Sequence, residues 1–259
     1  MRPGLLDNLP AGVDSRLVAR VLDCCRGASE KQEVKFTEFL DPFHLEFTAP
    51  LTAGFFGIRH LADGGFPGAE KKRLAIFPDY YSPADIEAPL SALEIRLSDP
   101  TRILSHRDYL GALIGLGLNR SWLGDILPFA GGAHIVVARE VAGAALNLDQ
   151  VNKFKAQTTE VPPYTLSAGE NPLRQINATV ASLRLDAVLG TGLGIGRSKA
   201  VELVKGDRVK VNWRKIIQPG FTLKAGDIIS IRGRGRLELS EVGGETKKGR
   251  IRIQVNKFS

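Results

Sequence analysis

The sequence has little sulfur, few histidines and no long apolar run. Its two cysteines, Cys24 and Cys25, are adjacent, which suits neither a disulfide framework nor the spaced ligand pairs of a zinc site, and they read as packing residues beside a helix. The four histidines, His44, His60, His106 and His134, stand far apart with no pairing at helical spacing, so no metal site is expected. The longest nearly apolar run, residues 109–118, is about half of what a spanning helix needs. The opening MRPGLLDNLP lacks the charged-then-apolar order of a secretory signal. A reducing, cytoplasmic interior is expected, without membrane insertion.

Acidic charge is also scarce, but only in one part of the chain. Residues 184–259 hold 17 Lys and Arg against 7 Asp and Glu, a net of +10, whereas residues 1–183 hold 18 against 21, a net of −3. The overall +7 therefore belongs to the C-terminal part. A sign split of this kind points to an anionic partner for that part, either nucleic acid or a membrane surface. A basic amphipathic helix, which attachment to an anionic lipid surface would need, is missing.

With 43% hydrophobic residues, 259 residues suffice for two or three small α+β domains. In residues 1–81, the apolar positions Val13, Leu17, Val18, Val21 and Leu22 predict a helix ending at Gly27. Asp41 and Pro42 read as the N-cap and first position of a second helix. The stretch 57–80 reads as strand, glycine-rich loop and strand. Residues 82–165 predict strand 92–98, a helix over 105–117 capped by Ser105, strands 123–129 and 133–138, helix 139–151 and strand 153–161. That order is the split βαβ of the ferredoxin-like plait, shared by RNA-recognition modules and by much else. Arg107 and Arg120 flank its first helix. Residues 160–172 read as a linker.

In residues 174–259 a strand, RQINATVAS, leads to a helix over 183–190 with Ser182 as N-cap. Gly190 to Gly196 then read as the tight connection to a second helix, whose stripe is Ala200, Val201, Leu203 and Val204. Alternating strands follow. Val209, Val211, Ile229, Ile231, Ile251, Ile253 and Val255 read as inward, while Arg208, Lys210, Arg232, Arg234, Arg236, Arg250 and Arg252 read as outward against one acid, Glu238. A merely solvated face would mix the signs to avoid repulsion between strands. Together with Arg184, Arg197, Ser198, Lys199, Lys205, Asn212, Arg214 and Lys215, these basic positions form the candidate RNA-binding set. Arg197, Ser198 and Lys199 open the second helix, where backbone N–H groups add to the attraction for phosphate.

The glycines at 190–196 fit no standard nucleotide cradle. The dinucleotide fingerprint needs a third glycine five residues after the first, where Ile195, Arg197 and Lys199 stand, and the nucleoside triphosphate loop needs Gly-Lys-Ser/Thr where this chain has Gly196-Arg197-Ser198-Lys199. The triplet at His106 to Asp108 matches the start of a kinase catalytic loop, but the Asn required seven residues after the His is Leu113. Arg184-Leu185-Asp186 matches a segment of pseudouridine synthases, yet the Thr expected shortly after is Leu189. No catalytic residue and no cofactor is expected.

Three stretches carry a family resemblance. RLDAVL, GRSKAVELVKGDRVKVN and KAGDIISIRGRGR resemble the RNA-binding domain named after small-subunit ribosomal protein four, with Leu185, Asp186, Leu189, Arg197, Ser198, Ala200, Leu203, Gly206, Val209, Val211, Asn212, Gly226 and Asp227 at matching positions. Trp213 stands where that family commonly has Gly, so a wider or differently shaped hairpin turn is expected. The indole either stacks on an unpaired base or caps the hairpin against the helices. FLDP at 39–42, the stretch 64–81 and the stretch 105–127 extend the resemblance to YlmH-type bacterial proteins, whose cyanobacterial and plastid relatives are labelled photosystem II S-four domain proteins.

The resemblance implies a monomeric, non-catalytic RNA-binding protein that works on the ribosome. Its partners would be large-subunit rRNA and peptidyl-tRNA, in the rescue of stalled nascent chains. The alternative is a pseudouridine-synthase-like RNA-modifying enzyme anchored by the basic domain. Such an enzyme would need a catalytic constellation in residues 1–160, and no spaced carboxylate pair, metal cluster or activated nucleophile stands out there.

Overall fold

The structure, a computed structural model, describes Leu9, residues 12–166 and residues 174–258. The chain divides into two compact units, residues 1–169 and 170–259.

The first unit starts with α1 (Ser15–Lys31), capped by Asp14, whose carboxylate accepts from the backbone N–H groups of Arg16 and Leu17. The helix does not stop at Gly27. Its buried stripe of Val18, Val21, Leu22 and Cys25 continues to Ala28 at the same spacing, so packing outweighs the roughly 1 kcal/mol that a mid-helix glycine costs. Cys25 is a core residue there, and burial pushes its thiol pKa up. A small sheet, ordered β1-β3-β2, packs on this helix from β1 (Lys35–Phe36), β2 (Ile58–Asp63) and β3 (Arg73–Pro78). Between β1 and β2, α2 (Pro42–Thr48) begins as its residues dictate, with Asp41 accepting from the His44 N–H and Pro42 in the first turn.

The second half of this unit is an antiparallel five-stranded sheet with two helices on one face. It comprises β4 (Leu90–Leu97), α3 (His106–Gly115), β5 (Leu123–Phe129), β6 (Gly132–Ala138), α4 (Arg139–Ala145), β7 (Gln150–Val151) and β8 (Phe154–Val161). The order β5-β6-β4-β8 is that of the ferredoxin-like plait, with β7 added at the edge. Leu93, Ile95 and Leu97 on β4 alternate toward Tyr109, Leu113, Ala142 and Ala145 of the helices. Helix α4 ends at Ala145, six residues short of the predicted end. Val151 is drawn into the core as a strand residue, and Asn152 takes a left-handed turn (φ 53°) that folds β7 back on β8.

The two halves share a core. Phe39, Phe66 and Ala69 pack with Ala88, Leu90, Ala92, Val136 and Ala138 from the plait. Arg73 is 1% exposed and donates to the carbonyls of Thr37 and Pro89 and to both carboxylate oxygens of Glu140, at 2.7–3.1 Å. In the predicted linker, Pro163–Thr165 form a helical turn and Leu166 is buried in this core; residues 167–173 lie outside the described residues.

The second unit sets α5 (Leu185–Leu193) and α6 (Arg197–Lys205) on one face of a six-stranded antiparallel sheet. Its strands are β9 (Arg174–Val180), β10 (Val209–Val211), β11 (Arg214–Lys215), β12 (Ile228–Ile231), β13 (Gly235–Glu245) and β14 (Ile251–Phe258), ordered β11-β10-β12-β13-β14-β9. Leu185, Val188, Leu189, Ala200, Leu203 and Val204 of the helices pack on Val209, Val211, Ile229, Ile231, Leu237 and Val255 of the sheet.

Helix α5 starts later than predicted, with Arg184 rather than Ser182 at the N-cap, and runs through Gly190 and Gly192. A side chain at Gly192 would put its Cβ 2.6 Å from a methyl of Leu237, so this glycine lets the helix lie on the sheet. Only Gly194 to Gly196 form the link to α6, with Gly194 in the left-handed region (φ 65°) that ends α5.

Candidate nucleic-acid interface

The candidate residues of the second unit fall on two surfaces. On the helical side, Gly196 is the N-cap of α6 and makes no side-chain cap, so its first turn presents Arg197, Ser198 and Lys199 to solvent. Lys205 lies on the last turn. A groove of about 730 Å³ along α6 is lined by Arg197, Ser198, Val201, Glu202, Lys205 and Gly206.

Asp186, which has a place in the family resemblance but no role in the sequence reading, organises this surface. It is 2% exposed, and it accepts from Arg184 Nε and Nη2 at 3.2 and 3.1 Å and from Arg197 Nε and Nη2 at 3.1 Å. Burial disfavours its charge, but the hydrogen bonds and charges of the two guanidiniums outweigh this and hold its pKa below the ordinary aspartate value. Two half-exposed arginines are thereby fixed at the start of α6 with their remaining N–H groups available to an anion.

The other surface is the sheet face turned away from the helices. Pairing aligns Lys215 of β11, Lys210 of β10, Ser230 of β12, Arg236 of β13 and Phe258 of β14 in one row across the strands. Alternation puts this row opposite the buried Val209, Val211, Ile229 and Leu237. Arg208 joins at the start of β10, its carbonyl accepting the Arg232 N–H at 2.8 Å. Lys210 and Lys215 face each other directly, a repulsive pairing that the Asp207 carboxylate, 2.6 Å from Lys215 Nζ, moderates. Among the described residues, the side chains of Arg208, Lys210, Arg232 and Arg234 meet no polar partner.

Several predicted outward positions are not strand positions. Arg232 and Arg234 lie in the turn after β12, which ends at Ile231, with Gly233 at φ 78° between them. Arg250 precedes β14 and is tied to the Thr179 hydroxyl and carbonyl on β9. Strand β13 runs on to Glu245, adding exposed Glu241 to Glu238, so the outer face is not uniformly basic. Arg252, opposite Thr179, stands at this mixed end, three strands from Lys210. The basic surface is confined to β10, β11 and the β12–β13 turn with Arg236.

The hairpin at Trp213 is not wide. Val211 pairs with Arg214, leaving a two-residue turn whose central residues, Asn212 and Trp213, both have positive φ (47° and 65°). Mirror-image turns of this kind match the twist of a hairpin, and Asn suits the first position. Asn212 spends its amide inside the unit, donating to Asp227 Oδ1 at 2.8 Å and accepting from the Ile228 N–H at 2.9 Å. It shapes the turn more than it reaches outward. Trp213 sits where Gly is favoured, at a cost of about 1–2 kcal/mol. Its ring lies 5.7 Å from the Arg236 guanidinium, so it crosses the outer face of β12. It does not join the core under the helices, whose partly buried members include Ile195, Ile216 and Phe221. That overturns the reading in which the indole caps the hairpin against the helices.

In the plait, the sheet face opposite α3 and α4 is the one that RNA-recognition modules leave open for base stacking. Here Leu90, Ala92, Val136 and Ala138 of that face are covered by Phe39, Phe66 and Ala69. Among the described residues no helix is long and apolar enough to cross a membrane.

Sequence reading missed Asp186 as the clamp of Arg184 and Arg197. The signal was there, since a lone acid between basic positions in an apolar helix start needs a partner. The pairings of Asp227 with Asn212 and of Arg236 with Trp213 depend on strand register and had no local sign.

Three family matches cover most of the chain. Residues 14–81 match "YlmH, N-terminal", residues 83–164 match "Putative RNA-binding domain in YlmH", and residues 183–229 match "S4 domain". None of these descriptions names a catalytic activity. The S4 match ends before Arg232, so the outer-face arginines of β13 and β14 lie beyond it. The Bacillus subtilis (strain 168) protein "Ribosome-associated protein quality control protein P2" is 33% identical over 237 residues, which span 91% of this chain and 92% of that one. Among solved structures, "Cell division protein ylmH from Streptococcus pneumoniae" superposes with a TM-score of 0.50 at 20% identity, covering 57% of this chain and 91% of that chain, and so shares its fold. By the extent and identity of the Bacillus match, this chain belongs to the YlmH family.

Proposed function

We propose that this chain is a non-catalytic, cytoplasmic RNA-binding protein that acts on structured rRNA and tRNA at the large ribosomal subunit, in the rescue of stalled nascent chains. The observation that carries the reading is the first turn of α6, where Asp186 fixes Arg184 and Arg197 beside the exposed Ser198 and Lys199. Fixed guanidiniums fork onto phosphate oxygens with little ordering cost, and helix N–H groups add to the attraction. The name of the Bacillus relative, a ribosome-associated quality control protein, supplies the ribosomal setting.

The mechanism is electrostatic docking on RNA shape. Each phosphate neutralised by Lys or Arg releases counterions, so affinity falls steeply with salt. The Lys210–Lys215 repulsion is relieved when a phosphate lies between the two ammonium groups. Orientation on the RNA comes from the rigid pairing of α5 and α6 over the sheet, which fixes the basic positions relative to one another.

The test is co-sedimentation with purified large ribosomal subunits at moderate salt. Replacing Arg197, Lys199, Arg232 and Arg234 together by Ala is expected to abolish it, and unchanged co-sedimentation of that variant would sink the reading.

A further inference from the structure

The outer face of the second unit carries an aromatic group that its fold does not need. Trp213 occupies a left-handed turn position at which glycine would be relaxed, and its indole adds nothing to the core beneath the helices. It lies instead across β12 toward Arg236, 5.7 Å from the guanidinium. On the far side of Arg236, Phe258 is its cross-strand partner and is partly exposed. Lys210 and Lys215 lie in the same row. The turn accounts for the backbone but not for a bulky indole kept where glycine is favoured and left outside the core, which is a reason to look for a ligand.

The chemistry of this row selects the ligand. A flat π surface backed by a guanidinium takes another flat π system, and neighbouring ammonium groups require that system to carry negative charge. A nucleotide satisfies both demands. A base held in a paired stem hides its faces, so the nucleotide must be unpaired. We propose that Trp213, backed by Arg236, is a stacking site for one unpaired base next to a paired RNA stem, whose phosphates lie on Lys210 and Lys215. The site gives a preference for bulged or looped RNA without reading its sequence, because every base has a π face. This inference rests on the RNA-binding reading above.

The experiment measures binding of the full chain to two RNA duplexes of equal length, one fully paired and one with a single bulged 2-aminopurine. The native protein is expected to bind the bulged duplex about tenfold more tightly, with quenching of the 2-aminopurine fluorescence. Trp213→Gly should bind both at the native affinity for the paired duplex, without quenching, and Trp213→Phe should restore part of each. Because glycine relaxes the turn, thermal unfolding of Trp213→Gly should confirm an intact fold. Equal binding of both duplexes by the native protein overturns the stacking site and leaves the RNA-binding reading standing, as does a bulge preference that survives in Trp213→Gly. Failure to bind either duplex at low salt overturns both.

Discussion

Asp186 and Arg197, eleven residues apart, meet where α5 begins and α6 begins, with both Nε and Nη2 of the guanidinium 3.1 Å from one carboxylate oxygen. The second carboxylate oxygen accepts from Arg184 Nε. One buried acid therefore sets the place of two exposed cations and ties the two helices together at the surface where phosphate is proposed to bind.

Removing that charge tests the clamp. Asp186→Asn keeps the shape but loses the charge-assisted bonds, and is expected to lower the stability of the second unit by about 2 kcal/mol, measured as a shift in the urea midpoint. The pH dependence has a definite sign. The folded pKa of Asp186 lies below its unfolded value, so the contribution is complete above the ordinary aspartate value of about 3.9 and is lost as pH falls through the depressed folded pKa. The gap between the native protein and Asp186→Asn should accordingly be constant from neutral pH to about 5, begin to narrow below about 3.9 and close as pH falls through the depressed folded pKa.

Arg73 is the corresponding joint of the first unit, buried and satisfied by two carbonyls and by Glu140. Arg73→Ala leaves these acceptors without a donor and opens a cavity, so a loss of about 3–5 kcal/mol is expected in urea unfolding. Glu140 is half exposed, and Glu140→Gln keeps an acceptor, so its cost should be about 1 kcal/mol. Equal effects from the two would show that the ion pair, and not the buried guanidinium, holds the halves together.

The hairpin turn gives two stability changes of opposite sign. Trp213→Gly relieves the left-handed backbone and should raise stability by about 1 kcal/mol, whereas Asn212→Ala loses two hydrogen bonds and a residue suited to the turn and should lower it by about 2 kcal/mol. Calorimetric melting temperatures of the two variants check this.

The location of the basic surface is testable through salt. The triple variant Arg208→Ala, Lys210→Ala and Arg232→Ala should weaken RNA binding at every sequence and flatten the slope of log affinity against log salt by roughly one per lost phosphate contact. Arg250→Ala with Arg252→Ala, at the end of the sheet shared with Glu241 and Glu245, should change that slope by less than half as much.

What the sequence determined by itself is most of the helices and strands and the caps whose chemistry is local. Asp41 with Pro42, and Ser105 with Asp108, start helices where their chemistry requires, and alternation in VKV and IISI sets apolar residues inward, because each of these signals acts within a few residues. Boundaries slipped where distant packing outweighed local preference. Gly27 and Gly192 stay helical because their helices are held on a core, and residues 150–151 leave α4 to pair with β8. The interface divided in the same way. That the C-terminal part is basic is a matter of counting, but which cations share a surface depends on strand register and on the side of the sheet the helices cover. Arg250 and Arg252 were indistinguishable from Lys210 in the alternating pattern, and only the sheet order β11-β10-β12-β13-β14-β9 carries them to the other end. Trp213 shows the same limit, since its partner Arg236 lies 23 residues away and meets it only because β10 and β13 flank β12.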